Sequence, residues 1–205
     1  MNRYVKNQVV VSVIAALLAV FVVVASAWAG PPNPQVIQGR FAATGNSQCL
    51  IAPAGFKDNL TPGGPPGLWL ADTGSFGLVF TFNADGTGTA AGVYHVNELP
   101  GPAVPLPPST GSANLSWSFT YAVADEGNIT FTLVPKTYKI QFVSGPNAGQ
   151  TKYGDKVPRD GVVSADGKII DVSCGAPVIL NDVDEQGKPS GAQLSCSTSL
   201  VLIRQ

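Results

Sequence analysis

Beyond residue 30 the chain alternates between apolar and polar positions. Leu115, Trp117, Phe119, Tyr121 and Val123 occupy one phase of a two-residue repeat, and Asn114, Ser116, Ser118, Thr120 and Ala122 the other. Successive side chains of a strand point to opposite faces, so this run predicts a strand with one apolar and one mostly polar face. Leu78, Phe80 and Phe82 repeat the pattern, as do Ile129, Phe131 and Leu133, and then Tyr138, Ile140 and Phe142. No stretch after Gly30 offers ten residues of helical periodicity without a Gly or Pro break. The alternation predicts about eight strands, near 37–44, 76–83, 87–97, 113–124, 128–143, 150–163, 168–181 and 192–204. The fifth is long and bent at Pro135, and Gly154 and Pro158 interrupt the sixth.

Turn signals sit between these runs. Asn83-Ala84-Asp85-Gly86, Asp125-Glu126-Gly127-Asn128 and Ser164-Ala165-Asp166-Gly167 each join two predicted strands. Their glycines supply the positive backbone angles that tight hairpins require, so the strands are expected to follow one another as antiparallel neighbours. Two Pro-rich stretches, 51–68 and 99–111, read as long connections, because Pro cannot donate to a ladder. Strands with one apolar face must bury it. The expected fold is all-β: an antiparallel up-and-down barrel of about eight strands, with a two-sheet β-sandwich as the alternative.

The first 29 residues read differently. Arg3 and Lys6 precede an uncharged apolar run, which closes on Ala27-Trp28-Ala29. A basic start, an apolar middle and a small-x-small end are the parts of a secretory signal peptide. The expectation is therefore a signal peptide over 1–29 and a single β-barrel domain over 30–205, secreted or periplasmic and free of the membrane after cleavage. The alternative is an uncleaved N-terminal helix that anchors the chain, since the apolar run approaches the length of a membrane span.

Composition narrows the function classes. Only 12% of residues are charged, with 12 Lys+Arg against 13 Asp+Glu, which excludes a strongly basic nucleic-acid binder. The 23 Gly and 17 Pro are scattered rather than periodic, which excludes a collagen-like chain. A single His leaves little room for a His-based metal or catalytic cluster, and no Gly-x-Ser-x-Gly elbow occurs. No cofactor and no metal site are expected.

Three short segments carry a resemblance. Gly39-Arg40-Phe41 with Cys49-Leu50 and Gly55-Phe56 is the first, Phe82-Asn83-Ala84-Asp85-Gly86-Thr87-Gly88-Thr89 the second, and a closing strand that holds Cys196 the third. Together they resemble a group of small secreted bacterial proteins of unknown function with a lipocalin-like barrel. The resemblance implies the calycin-type fold and no established activity, since a fold does not fix a function.

Three cysteines in an exported chain imply one disulfide and one remaining thiol. In a closed barrel the first and last strands are neighbours, which sets Cys49 opposite Cys196. Cys174–Cys196, across the last hairpin, is the rival pairing.

The inward aromatic faces are the main candidate site. Phe80, Phe82, Trp117, Phe119, Tyr121, Phe131, Tyr138 and Phe142 crowd one side of the sheet. In a small barrel such residues either fill the interior or leave room for one small ligand. His95 has no partner at ligand spacing and reads as structural or surface. Asp182, Asp184 and Gly187 loosely imitate a calcium loop, but position twelve is Gln193, and a solvated hairpin tip explains them better. The leading expectation is a non-enzymatic carrier of a small apolar molecule. A structural or interaction module with a filled core is the alternative, and a cofactor-free isomerase- or cyclase-like barrel the third.

Overall fold

The computed structural model describes residues 37–157, 160–173 and 177–205. The expected leader and Cys174 lie outside the described residues. Among the described residues eleven strands form one antiparallel sheet: β1 Gly39–Ala52, β2 Leu70–Phe82, β3 Thr87–Pro100, β4 Ser109–Val123, β5 Asn128–Leu133, β6 Lys139–Ser144, β7 Thr151–Gly154, β8 Asp160–Val163, β9 Ile169–Ser173, β10 Val178–Val183 and β11 Pro189–Arg204.

These strands make eight staves. β4 pairs with β5 over Phe119–Val123 and with β6 over Ser112–Ser116, so β5 and β6 are the lower and upper parts of one stave. β8 and β7 form the next stave, and β9 and β10 the one after it. β11 pairs with β9 below and β10 above, and then with β1 from Phe41↔Arg204 to Ala52↔Gln193. That last ladder closes the ring, so the expected up-and-down barrel is present and no second sheet remains for a sandwich among the described residues. The three Asp-Gly or Glu-Gly turns lie at the lower end, with Gly86, Gly127 and Gly167 at positive φ. The two Pro-rich connections lie at the upper end.

The strands expected over 128–143, 150–163 and 168–181 are each divided. In the first, Val134-Pro135-Lys136-Thr137 forms a turn closed by the Thr137 amide on the Val134 carbonyl, with Lys136 at φ 66°. Pro at the second position and a positive φ at the third are the marks of a type II turn. β4 takes four residues from Phe119 to Leu115 while its partner takes seven from Leu133 to Ile140. The Thr137 hydroxyl stitches the gap, donating to the Ser118 and Val134 carbonyls. In the second stave, Asp155 leaves the ladder and its carboxylate accepts from the Asn181 backbone and side-chain amides, at 2.8 and 2.5 Å.

The lower half of the barrel is solid. Phe41, Phe80, Phe82, Phe119, Phe131, Ile129, Ile170, Val172 and Leu202 are all buried there. Phe82 meets Phe41, Phe119 and Tyr121 edge-on at 5.1, 5.4 and 5.1 Å between ring centres. Such contacts stabilise by about 0.5–1.5 kcal/mol each beyond the area they bury. Tyr121 caps this end, donating from its hydroxyl to the Ile37 and Asn83 carbonyls.

Cys49 and Cys196 are direct cross-strand partners on the closing ladder and form a disulfide, with Sγ atoms 2.08 Å apart. This excludes the rival Cys174–Cys196 pairing and fits an oxidising compartment. The bond spans 147 residues of sequence. Under the loop-entropy account, reduction or Cys49→Ala with Cys196→Ala is expected to lower the unfolding free energy by about 3–5 kcal/mol. Urea unfolding with and without reductant checks this, and coincident curves contradict it.

Candidate functional site

The strands aim large aromatics into the lower half, but the upper half receives smaller and more polar side chains. On β1 the inward positions there are Ser47, Cys49 and Ile51, and on β2 they are Leu70, Asp72, Gly74 and Phe76. The result is a cavity of about 310 Å³, within the range of small-molecule sites. Its apolar wall is built from Ile51, Leu70, Phe76, Leu78, Leu115 and Trp117 on one side, and Ile140, Leu180, Leu194 and Leu200 on the other.

Each of the eight staves also sends at least one polar group to this wall. In ring order these include Ser47, Asp72, Tyr94, the indole of Trp117, Tyr138, Lys152, Asp182 and Thr198, with Tyr153, Lys156 and Asn181 at its edge. Asp72 on β2 and Lys152 on β7 lie four staves apart in a ring of eight, so they face each other across the barrel.

Two glycines make room for the phenols. A Cβ at Gly74 would lie 2.0 Å from the Tyr94 ring, and one at Gly154 would lie 2.4 Å from the Tyr138 ring. Tyr94 stacks on Phe76 at 4.8 Å, which aims its hydroxyl at Asp72. Tyr138 enters directly after the type II turn and rests against Trp117 at 5.5 Å.

Asp72 is only 8% exposed. Its Oδ1 accepts from the Tyr94 hydroxyl at 2.6 Å, and that hydroxyl lies 3.4 Å from Ser47 Oγ. Oδ2 meets no donor among the described residues and is left open to the cavity. Burial pushes the Asp72 carboxyl up to about 6. The Tyr94 hydrogen bond holds part of that rise back, the Glu98 carboxylate adds to it, and the Lys152 ammonium opposes it. Burial also pushes the Tyr138 phenol up to about 12, and the nearby Asp72 charge adds to this. The Tyr94 phenol moves up for the same two reasons, burial first. Both tyrosines therefore stay protonated, and Tyr94 donates its hydrogen bond to Asp72. The Lys152 ammonium sits 5.6 Å from the centre of the Phe142 ring.

Of the eight aromatics expected to bind a ligand, Trp117 and Tyr138 line the cavity. Phe80, Phe82, Phe119 and Phe131 instead pack on one another in the lower half, and a void of only about 10 Å³ remains beside Phe80, Trp117 and Phe131. Tyr121 caps the lower end, and Phe142 is buried in the upper wall beneath Lys152. His95 points outward from β3 into a shallow polar groove with Asn46, Gln48, Thr73, Ser75 and Asn97. The calcium-like segment divides: Asp182 faces the cavity, while Asp184 closes the β10–β11 turn by accepting from the Gln186 and Lys188 amides.

Asp72, Tyr94 and Lys152 do not stand out in the two-residue alternation. The signal was available for Asp72, because Leu70, Asp72, Gly74, Phe76 and Leu78 share one phase of the repeat. Starting the second strand at 76 left Asp72 in a loop. Lys152 lies within a four-residue strand, too short for its phase to be read.

No protein-family model matches the chain, and no curated protein matches it either.

Asp72 links the cavity to stability. Its folded value lies above the 3.8 of an ordinary aspartate, so the ionised form is disfavoured inside the barrel. The associated stability is fully present below about pH 4 and is lost as the pH rises through about 6. Asp72→Asn can still accept from Tyr94. It is expected to leave stability unchanged below pH 4 and to raise it by about 2–3 kcal/mol at pH 8. Urea unfolding at the two pH values checks this, and an Asn variant no more stable than the parent at pH 8 contradicts it.

Proposed function

We propose that this protein is an exported carrier that holds one small, mainly apolar molecule in the upper half of its barrel. The observation that carries the reading is the cavity: about 310 Å³, walled by aliphatic and aromatic side chains, with a few convergent polar groups. That combination is the usual build of a small-molecule site. A module with no ligand has no physical reason to leave this space, because unfilled apolar volume forgoes dispersion contacts that a closer fit would make. Nor has it reason to bury a carboxylate without a cation.

Export fits the basic and apolar start of the chain, the Ala27-Trp28-Ala29 boundary and the Cys49–Cys196 disulfide. The resemblance to small secreted bacterial proteins with lipocalin-like barrels points the same way. The Pro-rich connections at the upper end, 53–69 and 101–108, stand where a ligand would enter.

A neutral fluorescent apolar probe such as prodan tests the reading. The processed protein is expected to bind it saturably, with a blue-shifted emission and energy transfer from Trp117. Leu115→Trp, which fills the cavity floor, is expected to abolish binding while the far-ultraviolet circular dichroism keeps its strand signature. Phe131→Leu, in the lower half, is expected to leave binding intact. No saturable binding by the parent, or undiminished binding by a folded Leu115→Trp variant, contradicts the proposal.

A further inference from the structure

Resting on the carrier reading, we infer that the ligand is an amine: a small apolar body with a protonated amino head, held by Asp72 and the aromatic side chains around it.

Two carboxylates meet on the inner wall of β2 and β3. Asp72 and Glu98 are direct cross-strand partners, which places two carboxylates side by side on one face. Like charges directly opposite each other destabilise a sheet. Glu98 accepts from the Ser109 hydroxyl at 3.1 Å, and Asp72 from Tyr94 at 2.6 Å. Neither forms an ion pair; among the described residues the one salt bridge is Lys168–Asp166, on the surface. Asp72 is thus a buried carboxylate with an open Oδ2 and a carboxylate neighbour but no cation in contact. A buried charge in this state is costly unless it is paired.

The surrounding groups say which partner fits. Tyr94, Phe76, Trp117 and Tyr138 are aromatic, and a cation against aromatic faces gains a further attraction. A protonated amine satisfies Oδ2 through a charge-assisted hydrogen bond and offsets the Asp72–Glu98 repulsion. An anionic head would add a third negative charge to this wall. It could reach Lys152 opposite or Lys156 beyond it, but the Lys152 ammonium already rests on the Phe142 ring, and neither lysine stands beside Asp72 on β2 and β3. A bare metal ion is a poor fit, because no three His, Cys, Asp or Glu side chains gather among the described residues.

The charged and titratable groups that act on Asp72 or line its cavity are Tyr94 and Glu98 on β3, Tyr138 before β6, Lys152 and Tyr153 on β7, Lys156 just after it and Asp182 on β10. Of these, Lys152 and Lys156 oppose a bound cation and the carboxylates favour it.

Three probes with the same apolar body separate the possibilities: n-hexylamine, n-hexanol and n-hexanoate, each measured by displacement of prodan and directly by calorimetry. At pH 8 hexylamine is expected to bind roughly tenfold or more tighter than hexanol, the advantage of one charged hydrogen bond. That advantage is expected to shrink as the pH falls below about 6 and Asp72 takes up a proton. Asp72→Asn is expected to remove it, bringing hexylamine down to the affinity of hexanol, and Lys152→Met to enlarge it. Equal binding of hexanol and hexylamine, with prodan still bound, overturns the amine assignment and leaves the carrier reading standing. Tightest binding by hexanoate, lost in Lys152→Met, overturns it in favour of an anion site, and calcium competing with hexylamine overturns it in favour of a metal site. Failure of prodan and all three probes to bind overturns both readings.

Discussion

Closure of the sheet is the constraint on which the rest depends. Once β11 pairs with β1 along twelve consecutive positions, every inward side chain of eight staves must fit inside one cylinder. Small barrels of this strand number have an interior that side chains can just fill. The chain divides that interior unevenly. Phenylalanines occupy the inward positions of β1, β2, β4 and β5 in the lower half, and the barrel there is full. Ser47, Asp72, Gly74 and Thr198 take equivalent positions above, and the barrel there is hollow. The Cys49–Cys196 bond lies on the closing ladder at the hollow level, where both cysteines line the cavity.

The divided staves belong to the same arrangement. β5, β8 and β9 wall the solid half, and β6, β7 and β10 the hollow half. Because these are separate segments, the upper wall can differ from the lower one without disturbing its register. The type II turn at Pro135 and Lys136 introduces the extra residues that bring Tyr138 alongside Trp117. Gly154 completes the fit by leaving room for the Tyr138 ring. Trp117 therefore serves both halves: its ring meets Phe80 edge-on at 5.6 Å below and lines the cavity above.

Much of the fold was legible in the sequence because its signals are local. Two-residue alternation and Gly-containing turns need no tertiary information, and they placed the eight staves, the three lower turns and the Cys49–Cys196 neighbours. Strand ends were less legible. β1 runs eight residues past 44, and β2 begins six residues before 76, because pairing with long neighbours extends strands into stretches whose side chains are no longer uniformly apolar. The site lies in those extensions. Asp72 falls where the apolar phase of β2 is interrupted by a carboxylate, so the same group that sets the charge of the cavity hid the strand. The filled-or-hollow question could not be read from the aromatics alone, since it depends on which height of the barrel each one occupies.

The chemistry of the hollow half follows from one carboxylate held indoors by a phenol, beside a second carboxylate and opposite the Lys152 ammonium. Titration of the Asp72 side-chain carboxyl by carbon-13 NMR tests this most directly. The account predicts a midpoint near 6, shifted to lower pH in Lys152-containing protein relative to Lys152→Met. A midpoint near 3.8, the value of an ordinary aspartate, would mean that Asp72 stands in water and that the upper half of the barrel is not the enclosed space described.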